Sequence, residues 1–302
     1  MRYIVFGSGG FLGKTLVSYI RENKGDVIAV SRKNNADYIV DITLQESFEA
    51  LNNIDNVDVL INCASLLPDN RYAINDAAHL KALYDTNVIG AVNILYFAAL
   101  KGIKKVINCS TLSVVNKPWP IPLTANAPTY PLGRHVGYSS SKLAQELVMN
   151  EVAINADIQL IHLRLSALYG PGMPWVGILP LLVEKAIKGE KVSVTNGDKT
   201  SLDFLHILDL SKIILHLSTL DHYKYNIINV GSGEEIFLSR LIQLIVAQCH
   251  SNSFIENSNN DLPVSRAVID IDVLKEIMNE RWQCTSLENG VAELIAYYRN
   301  KN

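Results

Sequence analysis

Features that mark specialised protein classes are scarce in this chain of 302 residues. Its four cysteines, Cys63, Cys109, Cys249 and Cys284, are too few for a disulfide scaffold, so we expect reduced thiols and a cytoplasmic location. The 27 basic residues nearly balance the 30 acidic ones, and a net charge of −3 excludes electrostatic binding of nucleic acid as the main role.

Long hydrophobic runs are also missing. The longest uncharged stretch, residues 88–100, falls short of the roughly 20 residues that cross a bilayer, which favours a buried helix. The N-terminal run RYIVFG lacks the basic region and long apolar segment of a signal peptide. We therefore expect no membrane association, and the 48% hydrophobic content argues against disorder.

The first half of the chain alternates between short β-branched runs and helical segments. Strands are predicted at residues 3–6, 27–30, 57–62, 106–109 and 159–163, and helices at 12–21, 44–51, 76–99 and 139–153. Near-continuously apolar strands in this alternation are typical of an α/β fold with a parallel sheet covered on both faces. Ligands of such sheets bind beyond the carboxyl ends of the strands.

The alternation stops after Gly170, where a segment rich in glycine and proline begins. Helices are predicted at 179–188, 207–217, 238–249 and 287–298, and a surface loop at 250–260. We predict a dinucleotide-binding domain over residues 1–170 and a smaller, partly interwoven substrate lobe over residues 171–302.

A glycine-rich turn directly follows the first predicted strand and opens a helix. Gly7, Gly10 and Gly13 have the spacing that lets a backbone approach a pyrophosphate at a helix N-terminus. The segment GFLGKT also resembles the end of a triphosphate-binding loop, but five residues separate Gly7 from Gly13 where that motif needs four. The turn therefore predicts a dinucleotide, and we predict no metal site.

The residues after the second predicted strand bear on which dinucleotide binds. Ser31 and Arg32 stand there with Lys33, and no acidic residue is available for the ribose hydroxyls. A basic side chain at this point suits a 2′-phosphate, so we favour NADP(H) over NAD(H). Asp41 is expected either to contact the adenine or to cap the following helix.

Tyr138 and Lys142 form a YxxxK pair at the start of a predicted helix. Their spacing places both side chains on one helix face. The ammonium is expected to lower the pKa of the phenol, so that Tyr138 exchanges a proton with a carbinol near neutral pH. A hydroxyl from Ser110 or Thr111, at a strand end, is expected to form a hydrogen bond with the same substrate oxygen.

Taken together, these motifs resemble the extended short-chain dehydrogenase/reductases, the NAD(P)-dependent epimerase/dehydratase group, over nearly the whole chain. The matching segments are GSGGFLG, VDIT, INCAS, NVIGAVNIL, INCSTLSVV, YSSSK, LRLSALYGPG, LDFLHILDL and INVGSGE. The resemblance implies a Rossmann-type doubly wound parallel sheet with a smaller C-terminal substrate lobe, and a homodimer joined through helices at 87–99 and 139–153.

The resemblance also implies roles for individual residues. Tyr138 is the acid/base, and Lys142 is its partner that also holds the nicotinamide ribose. Of the two candidate hydroxyls, that of Thr111 and not that of Ser110 contacts the substrate. Further residues within the matching motifs are implied in cofactor binding: Phe11, Leu12, Ile42 and Ala64. Arg266 matches an arginine that binds the substrate diphosphate.

Departures from the family pattern narrow the expected reaction. Leu112 and Ser113 stand where dehydratases carry Asp-Glu, which argues against dehydration. Leu202 and Ala167 replace an arginine and an asparagine of many nucleotide-sugar enzymes. The expected function is hydride transfer at a sugar carbon, C4 of a nucleotide-linked hexose, by reduction or epimerisation. A reductase of a non-sugar ketone and a non-catalytic NADP(H)-sensing protein stay open as alternatives.

Overall fold

The apolar runs of the first half assemble into one parallel sheet. The computed structural model describes residues 1–33, 35–68, 76–133, 135–175, 177–261 and 264–300. The strands are β1 (Arg2–Phe6), β2 (Asp26–Ser31), β3 (Tyr38–Ile39), β4 (Val59–Asn62), β5 (Lys105–Thr111), β6 (Gln159–Leu165), β7 (Ala167–Tyr169), β8 (Val192–Thr195), β9 (Ser201–Leu202), β10 (Phe204–His206), β11 (Ile227–Val230), β12 (Ile236–Phe237) and β13 (Ile255–Ser258).

The α-helices between them carry apolar faces that cover the strands. They are α1 (Phe11–Glu22), α2 (Ala77–Tyr84), α3 (Gly90–Leu100), α4 (Val136–Asn155), α5 (Ile178–Ile187), α6 (Ile207–Ser218), α7 (Leu238–Gln248), α8 (Asp272–Met278) and α9 (Leu287–Arg299). A π-helical turn, Asp85–Ile89, joins α2 to α3, and short 3₁₀ helices occur at Gln45–Leu51, Leu112–Val114 and Asn279–Arg281.

The central sheet has seven strands in the order β11-β6-β5-β4-β1-β2-β3. Strand β1 pairs in parallel with both β2 and β4, and β4 pairs in parallel with β5. The chain therefore winds outward from β1 in both directions, which confirms the predicted Rossmann-type α/β fold. The carboxyl ends of β1, β2, β4 and β5 lie along one edge of this sheet.

By its internal contacts the chain divides into two compact units. Unit 1 comprises residues 1–116, 128–164 and 211–228, and unit 2 comprises residues 117–127, 165–210 and 229–302. The boundary predicted after residue 170 lies inside the 165–210 segment of unit 2. The chain thus passes between the units more than once.

Each unit has its own hydrophobic core. In unit 1 the rings of Phe6, Phe48 and Phe97 lie with centroids 5.8 to 6.0 Å apart, among aliphatic side chains of the sheet and of α3. In unit 2 the core packs α5, α7 and α9 together, and the Trp175 ring stacks on that of Tyr298 at 3.8 Å.

One continuous helical segment, Ala77–Leu100, is long and apolar enough by length and composition to cross a membrane. Core helices pass the same test. Ile94 and Leu95 of this segment are fully buried in the core of unit 1, and its last turns pack against α4.

Several local predictions were wrong. Residues 44–51 were expected as an α-helix and form a 3₁₀ helix, and the loop predicted at 250–260 contains β13, which pairs in parallel with β8. Strands β3 and β11 and helix α8 were not predicted. These elements have two, four and seven residues, and elements this short give little periodic signal in a sequence.

The turn between β1 and α1 depends on two glycines that approach backbone closely. Gly7 has φ of +79°, and a Cβ atom there would lie 2.6 Å from the amide nitrogen of Ala64. A Cβ on Gly13 would lie 2.2 Å from the carbonyl oxygen of Gly7. Only hydrogen fits at these two positions, so α1 packs directly on the turn.

We expect Gly13→Ala to lower the free energy of unfolding by about 1–3 kcal/mol, because the new methyl group meets backbone atoms that cannot move aside. Gly10→Ala is the matched control, since its Cβ would lie 3.4 Å from the nearest atom, the carbonyl oxygen of Gly7. Urea unfolding of the two variants measures the difference, and equal stabilities would contradict the packing described above.

Candidate active site

A cavity of about 660 Å³ opens in unit 1 beyond the carboxyl ends of β1, β2 and β4. Seven of the residues predicted to bind cofactor line it: Gly7, Gly10, Ser31, Arg32, Asp41, Ile42 and Ala64. Phe11, Leu12 and Gly13 lie in the first turn of α1, next to the lining residue Gly10. The glycine turn, the end of β2 and the end of β4 thus form one site.

The start of α1 adjoins this cavity through Gly10. Gly10 lines the cavity and is the N-cap of the helix, and it has no side chain to cap the N–H groups of the first turn. Unpaired N–H groups at a helix N-terminus favour an anion. The turn therefore has the donors that a pyrophosphate requires.

Basic side chains line the cavity where β2 ends. Arg32 and Lys33 line it and are exposed, and the Lys33 amide donates to Ser31 Oγ at 3.2 Å. Asp41 also lines it, and its Oδ1 accepts from the amide and the hydroxyl of Thr43 at 3.0 and 2.8 Å. The Asp41 carboxylate therefore orders the turn before the 3₁₀ helix rather than capping that helix, whose N-cap is Leu44.

The predicted acid/base residue belongs to a cluster of three hydroxyl groups. Tyr138, in the first turn of α4, lies close enough to Thr111 and Ser65 for their hydroxyls to lower the pKa of its phenol. Thr111 ends β5, and Ser65 lines the cavity beyond β4. Ser65 thereby connects the phenol to the cavity, and sequence reasoning missed it.

The partners of the two candidate hydroxyls on β5 tell them apart. Ser110 is buried, and its Oγ donates to Glu146 Oε1 at 2.5 Å. Thr111 lies beside the Tyr138 phenol and lowers its pKa. Of the two, Thr111 is therefore the hydroxyl that accompanies the phenol.

The expected lowering of the phenol pKa was wrong for the protein without cofactor. Burial raises the pKa of Tyr138 to about 12, and the hydroxyls of Thr111 and Ser65 offset only part of that rise. Desolvation disfavours the charged phenolate. The phenol therefore carries its proton at neutral pH and is a proton donor.

Lys142 is buried as deeply as the core, with 1% of its surface exposed. Its Nζ donates to the carbonyl oxygen of Cys109 at 2.8 Å and to Gln145 Oε1 at 2.5 Å. Burial lowers the pKa of Lys142 to about 8, while charges on Cys109 and Glu146 would raise it. Lys142 thus stays mostly protonated at neutral pH, which lies only about one pH unit below its pKa.

Asn87 is a second residue that sequence reasoning left without a role. It lies fully buried in the π-helical turn, where its Oδ1 accepts from the Leu66 amide at 2.7 Å and from Ser65 Oγ at 3.2 Å. Its Nδ2 donates to Ser141 Oγ at 3.0 Å. Asn87 therefore ties the segment carrying Ser65 to the helix carrying Tyr138. A π-turn inside a helix was the structural signal, and sequence alone does not show it.

Arg266 lies in unit 2 and is already paired. Its Nε and Nη2 donate to the two carboxylate oxygens of Glu235, each at 2.7 Å, and Glu235 Oε1 also accepts from Ser201 Oγ at 2.6 Å. Its role in binding a diphosphate stays a prediction. Among the described residues, no group of three or more His, Cys, Asp or Glu side chains could hold a metal ion.

The chain belongs to the NAD dependent epimerase/dehydratase family, a family of enzymes, whose model matches residues 3–231. This confirms the resemblance found in the sequence motifs.

Relatives of several reaction types align with nearly the whole chain. A candidate UDP-glucose 4-epimerase of Methanocaldococcus jannaschii is 26% identical over 99% of both chains. The dTDP-4-dehydro-6-deoxyglucose reductase of Escherichia coli is 21% identical over 99% of this chain and 98% of the relative. UDP-glucuronic acid decarboxylase 1 of Arabidopsis thaliana is 24% identical over all of this chain and 70% of its own.

Solved structures share the fold. The UDP-glucose 4-epimerase of Thermotoga maritima, solved with UDP-glucose, has a TM-score of 0.81 at 20% identity, covering 100% of this chain and 99% of its own. The dTDP-glucose 4,6-dehydratase of Bacillus anthracis, solved with NAD, has a TM-score of 0.80 at 21% identity, covering 99% and 97%.

Proposed function

We propose that the chain transfers a hydride at a sugar carbon, C4 of a nucleotide-linked hexose, with a nicotinamide cofactor. The observation that carries this proposal is the hydroxyl cluster of Tyr138, Thr111 and Ser65, with Ser65 on the wall of the cavity that the glycine turn also lines. An acid/base and a dinucleotide site thus share one edge of one sheet.

The residues of unit 1 fit a nicotinamide dinucleotide. Gly7 and Gly13 let α1 pack directly on the turn after β1, and the start of α1, which has no side-chain cap at Gly10, supplies donors for the pyrophosphate. Arg32 and Lys33 supply positive charge for a 2′-phosphate, which supports NADP(H) over NAD(H). When bound, the nicotinamide supplies or accepts the hydride.

The chain's own residues handle the proton. The Tyr138 phenol is protonated at neutral pH, so it donates to a substrate oxygen that gains electron density as the carbon is reduced. Thr111 and Ser65 orient the phenol through their hydroxyls. The buried ammonium of Lys142 stabilises the phenolate that is left behind. By analogy with its family, Lys142 also holds the ribose of the nicotinamide.

Reduction of a 4-keto sugar uses this protonated phenol directly, whereas epimerisation at C4 begins with an oxidation, for which Tyr138 must first lose its proton in order to accept that of the 4-hydroxyl. Relatives of both types support the two reactions. Dehydration needs a further acid and base, and the positions after Thr111 hold Leu112, which is 1% exposed, and Ser113, whose amide donates to Thr111 Oγ1 at 3.2 Å. We therefore propose that the chain does not dehydrate its substrate.

One observation favours a reductase of a non-sugar ketone as the second candidate. The guanidinium of Arg266 donates to both carboxylate oxygens of Glu235. The negative charge of Glu235 neutralises the positive charge that would otherwise attract a diphosphate. Products from a panel of nucleotide sugars and simple ketones, identified by mass spectrometry, separate the two candidates.

We expect Tyr138→Phe to lower turnover by about 10²–10⁴-fold while cofactor affinity is kept, because only the transferable proton is lost. Steady-state rates with NADP(H) and the best substrate of the panel measure the loss. Tyr297→Phe, in α9, is the control and keeps full activity. Unchanged turnover in Tyr138→Phe would remove the catalytic assignment of Tyr138. A wild type that binds NADP(H) but converts no substrate of the panel would favour a non-catalytic NADP(H)-sensing protein.

We expect wild type to bind NADPH more tightly than NADH, and Arg32→Glu to reduce NADPH affinity by about 10–100-fold, because a charge-assisted contact to the 2′-phosphate becomes repulsive. NADH affinity changes little. Fluorescence titration gives both dissociation constants, and Lys275→Ala in α8 controls for the loss of an exposed positive charge. Equal losses for both cofactors, or tighter NADH binding by wild type, would contradict the NADP(H) assignment.

A homodimer is part of the proposal, supported by exposed apolar side chains on two adjacent helices. Tyr96 and Leu100 on α3 are 52% and 84% exposed, and Leu147 and Ile154 on α4 are 63% and 80% exposed. Within each helix the spacing of four or seven residues places the pair on one face. Since α3 packs on α4, these side chains favour burial against a second copy.

We expect sedimentation velocity to show a dimer for wild type and a monomer for the double variant Leu100→Glu and Leu147→Glu, because charge is not tolerated in an apolar interface. Leu181→Glu, on the exposed side of α5, is the control and stays dimeric. A monomeric wild type at micromolar concentration would exclude this interface.

A further inference from the structure

A chain of side-chain amides runs beneath Lys142. It consists of Asn62, Asn108 and Gln145, each of them 1% exposed or less. Buried amides cost free energy unless every donor meets an acceptor, so their partners constrain how each amide is oriented.

Backbone groups stand at both ends of this chain and fix its direction. The Ala64 amide donates to Asn62 Oδ1 at 3.1 Å, so Asn62 Nδ2 donates onward to Asn108 Oδ1 at 2.9 Å. Asn108 Nδ2 then donates to Gln145 Oε1 at 3.1 Å, and Gln145 Nε2 donates to the carbonyl oxygen of Asn87 at 2.7 Å. Since an N–H only donates and a C=O only accepts, each amide has one possible orientation.

The fixed oxygen of Gln145 faces the ammonium of Lys142 at 2.5 Å. Tyr138, Lys142 and Gln145 are spaced by four and three residues along α4 and so share one helix face. We propose that Gln145 is a positioning residue that holds the Lys142 ammonium in place for the acid/base chemistry of Tyr138. This inference rests on the proposed function of Tyr138 and Lys142.

A neutral acceptor leaves the lysine charge uncancelled. The carboxylate beside it, Glu146, is matched by Arg164, whose Nε and Nη2 donate to its two oxygens at 3.1 and 2.7 Å, and by Ser110. Gln145 therefore anchors Lys142 without neutralising it, and the positive charge stays available to a phenolate.

Apart from Arg164, which is paired with Glu146, the titratable groups near Lys142 are His162 on β6, Cys63 after β4 and Cys109 on β5, and none of these three is positively charged. His162 on β6 accepts from Asn108 Nδ2 at 2.9 Å through Nδ1, and burial lowers its pKa to about 4, so it is neutral. Cys63, whose Sγ lies 3.9 Å from that of Cys109, has its pKa raised well above its ordinary value by that contact and by burial. Gln145 is thus the polar side chain that contacts the ammonium directly.

The test is to follow the titration of Lys142 in the cofactor-free protein by NMR of lysines labelled with ¹³C at Cε, with the signal assigned by Lys142→Arg. Wild type is expected to titrate near pH 8, because burial lowers the pKa of Lys142. Gln145→Leu removes an acceptor of the charged form and lowers the midpoint by about one pH unit, whereas Gln145→Glu adds a negative charge and raises it by about as much. The alkaline limb of kcat moves in the same two directions.

Asn150→Ala is the matched control. It removes an amide of the same helix that contacts only His162 Nε2, at 3.2 Å, within this network, and it leaves the Lys142 titration in place. An unshifted midpoint in Gln145→Glu, with native circular dichroism, overturns the inference even if Gln145→Leu fails to fold. Shifted midpoints together with full turnover in Tyr138→Phe uphold the positioning of Lys142 and reject the proposed catalysis.

Discussion

The buried ammonium of Lys142 is the constraint on which the site depends. Removing a charge from water costs several kcal/mol unless the protein supplies partners. Here the partners are a backbone carbonyl from β5 and the amide oxygen of Gln145. Because those partners are themselves fixed by the sheet and by α4, the position of Lys142 is a property of the whole of unit 1.

The parallel sheet explains why a dinucleotide turn and an acid/base lie together. Strands β1, β2, β4 and β5 end at the same edge, so residues far apart in sequence meet there. Gly7 follows β1, Ser65 follows β4 and Thr111 ends β5. The hydroxyls of Ser65 and Thr111 lie beside the Tyr138 phenol at these strand ends, and Asn87 ties the segment of Ser65 to α4 through Ser141.

Sequence reasoning predicted the features that follow from local pattern. Apolar runs identified the first strands, and glycine spacing identified the β1–α1 turn. It failed where long-range packing decides: burial raises the pKa of Tyr138, to which Lys142 contributes no resolved lowering, and Glu235 pairs with Arg266 from a distant part of the chain. Gln145 also went unnoticed, since its importance depends on Asn108 and Asn87, which no sequence spacing connects to it.

The central claim about this protein is that a nicotinamide nucleotide binds across the β1–α1 turn with its reactive ring towards Tyr138. A crystal structure of the chain grown with NADP(H) tests this most directly. It is expected to show the pyrophosphate at the amides of Leu12 and Gly13 and the nicotinamide beside the phenol of Tyr138. A nucleotide bound elsewhere, or a nicotinamide ring remote from that phenol, would contradict the account.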